Sequence, residues 1–239
     1  MDQLQATEPL SEVFDAMVLA MAALAEPGEA GNHIVRTQHY VRALAMRLKS
    51  APPYAQTMTD AFVATLFRAA PLHDVGNAGV PDRILLKPGA LSSDELDVVK
   101  THPWIGRNTI EKIQRTAGVP LELLDVARDI AYSHQERWDG SGYPQGLAGD
   151  AIPLAARVMA IADSYDALTT RRVYREGVSH DVAVQRIFQQ RSAHFDPDMV
   201  DAFIEIQHEF VEIAKRYTDT ESDFEAKIDY MVKAIAETP

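Results

Sequence analysis

Apolar positions recur along this chain at the three- and four-residue spacing of amphipathic helices, and no useful stretch alternates as a half-buried strand would. Leu10, Phe14, Met17, Met21 and Leu24 follow one another at spacings of 4, 3, 4 and 3, the a/d seam of two heptads, until Pro27 and Gly28 break the helix. Two heptads make a weak coiled coil, so the seam is expected to pack on its own domain in preference to a second copy of the chain. A second helix is expected over 29–50, ended by Pro52-Pro53, and a third over 59–73. Ser92 and Glu95 read as a capping box. The helix they open runs through Lys100, Thr101 and His102 and bends at Pro103. Further helices are expected from 121 to 132–134, from Pro153 to about 170, over 180–191 behind the cap Ser179, from Pro197 to Arg216, and over 221–236. The stretch QERWDGSGYPQGLAGDAIP carries Trp138, Tyr143 and Leu147 for burial and is a shaped loop, not a linker. The fold class is all-α.

At 239 residues, with 46% hydrophobic and 24% charged positions, the chain has the composition of an ordinary globular protein. No apolar run reaches the length of about 18 residues that a membrane span needs, and the amino terminus lacks the basic region of a secretory signal. The chain has no cysteine, so a disulfide or thiolate metal site is excluded and a cytoplasmic location is expected. Any metal must be held by imidazole, carboxylate, backbone or water. The net charge of −12 argues against a long nucleic-acid partner. It leaves room for a small phosphate-bearing ligand, because bound divalent cations and a few arginines reverse the sign locally.

The candidate chemistry centres on APLHDVGNAGVPD, where His73 and Asp74 end an apolar helical run and Gly76 follows. Adjacent residues on a helix point about 100° apart, so the pair sends an imidazole and a carboxylate into a pocket from different directions. Glu29 and His33 stand four apart and share a helix face. Of the eight histidines, His33, His73, His102 and His134 fall at helix ends or beside Gly/Pro loops, with Glu29, Asp74 and Asp163 as companion carboxylates. Taken singly, each of these histidines reads better as a satisfied core residue. Together they suggest one shared pocket.

These stretches resemble the HD phosphohydrolases, and in particular their HD-GYP subgroup. The matching segments are EAGNHIVRTQHYVR, APLHDVGNAGVPDRILLKPG, KTHPWIG, YSHQERWDGSGYPQGL, ARVMAIADSYDALTTRRVYR and HFDP, and Trp138 to Pro144 is the most specific run. The resemblance implies an all-α bundle of about seven to nine helices that opens cyclic di-GMP to pGpG, or cleaves pGpG to GMP. It implies divalent transition-metal ions (Fe, Mn, Ni or Zn) in one cluster. By position, His33, His73, Asp74 and Asp163 match the ligands of one ion, Asp74 bridges to a second, and His102 and His134 complete it. Glu29 matches a glutamate that binds metal in some members. Two cations sharing a water would lower its pKa and generate the attacking hydroxide. Arg172 and Arg175 match phosphate-holding positions, and Gly142, Tyr143 and Pro144 match the loop that shapes the pocket and docks GGDEF-domain partners. Residues 1–26 are expected to form a linker-like helix, apt to follow a receiver domain or to pair in a homodimer, with the HD-GYP domain over 27–239.

Two positions depart from the fullest pattern. Gln135 stands where many members carry a second histidine, which favours two ions over three. Asn77 stands where the pattern HDxGK has its lysine, so a positive charge beside the substrate phosphate is replaced by a neutral amide. A second reading is therefore a non-catalytic sensor or cyclase-interaction module. A third, an HD phosphohydrolase of mononucleotides, leaves the GYP loop unexplained.

Overall fold

The computed structural model describes residues 7–26, 32–118, 121–172 and 175–236. Helix α1 spans Thr7–Ala25, α2 Asn32–Lys49, α3 Asp60–Ala69, α4 Asp82–Leu85, α5 Ser93–Val99 and α6 His102–Ala117. Then come α7 (Glu122–Ser133), α8 (Leu154–Thr169), α9 (His180–Gln189), α10 (Pro197–Arg216) and α11 (Glu221–Ala236), with 3-10 turns at Ala70–Leu72, Val75–Gly79 and Gly149–Ala151. The described residues form isolated bridges but no strand, as the helical periodicity implies.

Helix α2 is central: Ile34, Tyr40, Val41, Leu44, Ala45 and Leu48 along it are all buried. It packs against α10, α8 and α3, while α7 lies between α3 and α6. Tyr40 stacks on Phe210 with ring centroids 4.5 Å apart, and Tyr165 and Phe203 meet Phe210 edge-on at 5.2 and 4.9 Å. Each such aromatic pair contributes on the order of 1 kcal/mol beyond its buried area. They fix α2, α8 and α10 as a rigid frame beneath the histidines.

Helix α1 docks differently from the expectation. The residues that face the core are Val18, Ala22 and Ala25, while Phe14, Met17, Met21 and Leu24 are exposed. Small side chains at 22 and 25 let α1 lie close to the turns Ala70–Leu72 and Val75–Gly79. The bulkier heptad positions are left facing outward.

The third helix also ends earlier than its apolar run suggests. It stops at Ala69, because Pro71 has no N–H to give to the Phe67 carbonyl. That carbonyl accepts instead from Gln38 Nε2 at 2.9 Å. His73 and Asp74 thus sit between two 3-10 turns. Likewise the chain breaks at 100–101 instead of bending: α5 ends at Val99, and α6 starts at His102 with Pro103 in its first turn, where a missing N–H costs nothing. The capping box of Ser92 and Glu95 is present in both directions. None of the described helices is long and apolar enough to cross a membrane.

Candidate metal centre

Three of the histidines follow the end of a helical turn and satisfy its last carbonyls with their own rings. His73 Nδ1 donates to Ala70 O (3.0 Å), His102 Nδ1 to Val99 O (2.8 Å) and His134 Nδ1 to Ile130 O (3.0 Å). Ala70 O and Ile130 O also accept the backbone N–H of the same histidine, so ring and backbone of His73 and His134 are fixed on one carbonyl each. The consequence is chemical. With the proton held on Nδ1, the Nε2 lone pair is left free on each ring, and all three point to one place. His33, in the first turn of α2, is held in the same way by a side chain: its Nδ1 lies 2.7 Å from Asp166 Oδ2.

Asp74 sits among these rings. Its Oδ1 is 3.3 Å from His102 Nε2 and 3.2 Å from His134 Nε2, and its Oδ2 is 3.9 Å from His73 Nε2. The Nε2 atoms of His102 and His134 face each other at 3.4 Å. His73 Nε2 and Asp74 Oδ1 are buried and make no hydrogen bond. Lone pairs turned on one another across such distances repel unless a cation lies between them. The donor set of neutral imidazoles and carboxylates suits Fe, Mn, Ni or Zn. Among the described residues two groupings have ligand atoms close enough to share an ion: Asp74 with His102 and His134, and Glu26 with His33 and His73. The residues present therefore fit the metal that the sequence implies.

Burial pushes the imidazoles of His73 and His102 down, toward the neutral form that binds metal, against the pull of Asp74. Burial would lower His134 too, but the Asp74 carboxylate 3.2 Å away outweighs it and raises that imidazole. Burial would raise Asp74, yet His73, His134 and His102 hold its carboxyl well below the usual carboxylate range.

Glu26, Asp166 and Arg36 join the site without any local mark in the sequence. Glu26 Oε2 lies 3.5 Å from His33 Nε2, and both residues are buried. Glu29 falls outside the described residues. Asp166 accepts from Arg36 at both oxygens, 2.6 Å from Nε and 3.0 Å from Nη2, as well as binding His33. Burial favours the neutral acid, but His33 and Arg36 keep it ionised far below the ordinary range. Asp163, one helical turn away, lines the cavity above the cluster. Its charge acts on His73, His102 and His134 alike.

The cluster opens into a cavity of about 590 Å³, within the range of small-molecule sites. Asn77, Gln135, Tyr143, Arg172 and Arg175 contribute to its wall. The two arginines are exposed and pair through their backbones, Arg172 N to Arg175 O at 2.7 Å and Arg175 N to Arg172 O at 3.0 Å. Of the run Gly142, Tyr143 and Pro144, only Tyr143 lines the cavity. Its ring stands edge-on to His102 with centroids 6.3 Å apart. Gly142 instead packs against the backbone of Glu136 and Arg137, where a Cβ would collide.

The loop is held from inside. The buried Glu136 carboxylate accepts from Gln145 N at 2.7 Å and Leu147 N at 3.0 Å, closing the loop on itself. From outside, Trp138 N and Asp139 N donate to the carbonyls of His194 and Ala193, each at 2.9 Å. Burial, helped by Arg137, pushes the His194 imidazole down to about 4. The unfolded chain takes up that proton below about pH 6.5 and the folded chain does not, so stability falls from there to about pH 4. The loss is expected to reach at most ~3 kcal/mol. Thermal melts across this window should be flatter for His194→Gln than for the unchanged chain.

An all-helical frame here carries a buried histidine–carboxylate cluster, with donor atoms fit for a metal, beneath a ligand-sized cavity. The HD domain model matches residues 20–199, and the chain belongs to that family, in its HD-GYP branch. A probable cyclic di-GMP phosphodiesterase of Vibrio cholerae is 49% identical over 215 residues, covering 89% of this chain and 49% of that protein. The cyclic di-GMP phosphodiesterase response regulator RpfG of Xanthomonas campestris is 41% identical over 161 residues, 67% of this chain and 41% of its own length. This chain thus spans about half the length of such relatives or less. The crystal structure of a cyclic GMP-AMP specific phosphodiesterase of Vibrio cholerae, V-cGAP3, shares the fold with a TM-score of 0.54. It aligns over 92% of this chain and 60% of that one, at 17% identity.

Proposed function

We propose that this chain is a metal-dependent phosphodiesterase that hydrolyses cyclic di-GMP to pGpG, or pGpG to GMP. The observation that carries the reading is the convergence of Nε2 lone pairs from His73, His102 and His134 on Asp74, with His33 and Glu26 beside them. Divalent ions at this centre supply Lewis acidity toward a phosphoryl oxygen and lower the pKa of water. In the proposed assignment Asp74 with His102 and His134 would hold one ion, and His33 and His73, beside the same Asp74, would hold another. Asp163 closes the set, and Glu26 takes the place in which the sequence suggested Glu29. Asp166 and Arg36 hold the His33 proton on Nδ1. Arg172 and Arg175 are suited to grip the phosphates through paired donors, and Tyr143 forms the wall against the base or sugar. The relatives named for cyclic di-GMP hydrolysis support this substrate class. A cytoplasmic setting, a preceding receiver domain, a GGDEF-domain partner at the GYP loop and a homodimer through the exposed seam of α1 belong to the same proposal.

The test is incubation of protein loaded separately with Mn, Fe and Ni with cyclic di-GMP, pGpG and cyclic GMP-AMP, resolving products by chromatography. Product above a chelated control is the expected result. Its absence with every metal goes against the reading.

Asn77 favours the second reading, a nucleotide sensor or cyclase-binding module without turnover. Removing one charge-stabilising donor costs on the order of 10²–10³ in rate. If the pocket only senses, the unchanged chain binds nucleotide without product, and Asn77→Lys creates activity. If it is an enzyme as it stands, the unchanged chain turns over, and the missing charge must come from elsewhere in the cavity.

A further inference from the structure

The loop that brings Tyr143 to the cavity fixes its backbone more firmly than its ring. Tyr143 N donates to Gln135 O at 3.3 Å, and Gly142 is wedged against the backbone of Glu136 and Arg137. The side chain keeps two torsions of its own, and what holds it comes from another part of the chain. The His102 ring meets it edge-on, and the Lys100 ammonium sits over its face, 5.7 Å from the centroid.

Both contacts spring from the break between α5 and α6. Lys100 N donates to Leu96 O at 2.9 Å to finish α5, Thr101 Oγ1 donates to Val98 O at 2.6 Å, and α6 starts at His102. The turn that aims His102 at Asp74 thus also lays Lys100 on Tyr143. No carboxylate among the described residues pairs with this ammonium, so its charge acts on the negative face of the ring. Lys100 does not itself line the cavity, and what it contributes to a ligand passes through Tyr143.

We propose that Lys100 is a positioning residue, whose ammonium holds the Tyr143 ring against His102 in the orientation in which a purine base of the ligand packs on it. The inference rests on the phosphodiesterase reading above, in which Tyr143 meets the base or sugar. Its test is the affinity of the Mn-loaded chain for a phosphorothioate analogue of cyclic di-GMP, by equilibrium dialysis, with metal content and melting temperature measured on the same samples. Lys100→Met and Lys100→Gln are both made, and whichever melts closer to the unchanged chain is scored. A loss of affinity of about two- to fivefold is expected at unchanged metal content, the scale of a cation–π contact near the surface. Lys100→Arg should retain the affinity. In a Tyr143→Phe background, which keeps the ring, the neutral variant should cost as much again; in Tyr143→Leu it should cost nothing further. The same cycle read on melting temperature without ligand should show the pair coupled. Equal affinity in the neutral variant overturns the proposal. So does a loss that persists in Tyr143→Leu, since the charge then acts on the nucleotide directly, and so does a loss that tracks falling metal content, since Lys100 then acts through His102. An unchanged chain that binds no nucleotide overturns the phosphodiesterase reading and this inference with it, whereas tight binding indifferent to Lys100 overturns this inference alone.

Discussion

Replacing Asp74 by asparagine is expected to lower turnover by at least on the order of 10²–10³-fold and to empty the centre of metal. The amide keeps the size of the carboxylate but removes the charge that stands between three imidazoles, 3.2 Å from His134 Nε2 and 3.3 Å from His102 Nε2. One amide oxygen cannot face both sides of the cluster as the two carboxylate oxygens do. Elemental analysis after dialysis gives metal per chain, and product chromatography gives the rate. A variant that keeps both its metal and its activity would remove Asp74 from the role assigned to it. His39→Gln is the control: His39 stacks on Tyr217 with centroids 4.7 Å apart, away from the cavity wall, and should leave metal content unchanged.

Gly76→Ala is expected to be the most damaging small substitution in the fold. A Cβ at 76 would run into the carbonyl of His102 and the amide of Gly106, both backbone, so neither can swing aside. The 3-10 turn Val75–Gly79 and the start of α6 would have to part, and with them Asp74 and His102. Overpacking of this kind costs about 1–3 kcal/mol or more, which for a chain of this size lowers the melting temperature by roughly 2–4 °C per kcal/mol. A drop of about 10 °C, accompanied by loss of metal, is the expected result. Gly106→Ala is the comparison, since a Cβ there meets the Ala131 side chain at an ordinary 3.4 Å and should cost far less. Equal melting of the two variants would show that the close approach at Gly76 does not govern the site.

The helical periodicity made most elements legible, and α10 and α11 begin and end where the pattern places them. The limits came where two local rules compete. Apolar spacing carries the third helix past Ala69, but Pro71 breaks the ladder; the same spacing runs on through His102, but Pro103 suits a first turn better than an interior one. In α1 the heptad seam was visible, yet packing selected the small residues Ala22 and Ala25, a choice that depends on how near the HD turn lies. In the site, the four histidines stood out because each sits at a helix end or beside a Gly/Pro loop; the rings of His73, His102 and His134 cap the preceding turn and have one nitrogen left over, while Asp166 takes that place for His33. Glu26, Arg36, Asp166 and Glu136 carried no such mark. A carboxylate or a cation in a helix looks the same in sequence whether it meets solvent or a buried partner far along the chain. Asp163 and Asp166 stand one turn apart on α8, and which of the two reaches His33 is decided by the rotation of α8 against α2.

Arg36 binds Asp166 on one side and, on the other, the Tyr217 carbonyl at 2.9 Å and Asp219 Oδ1 at 3.1 Å. The guanidinium thus fastens the connection between α10 and α11 to the very carboxylate that orients His33. Shortening the polypeptide just after Arg216 would therefore do more than strip away an outer helix. It would strip Arg36 of two of its partners in the interior and loosen its grip on Asp166, the carboxylate that sets the tilt of the first imidazole of the cluster.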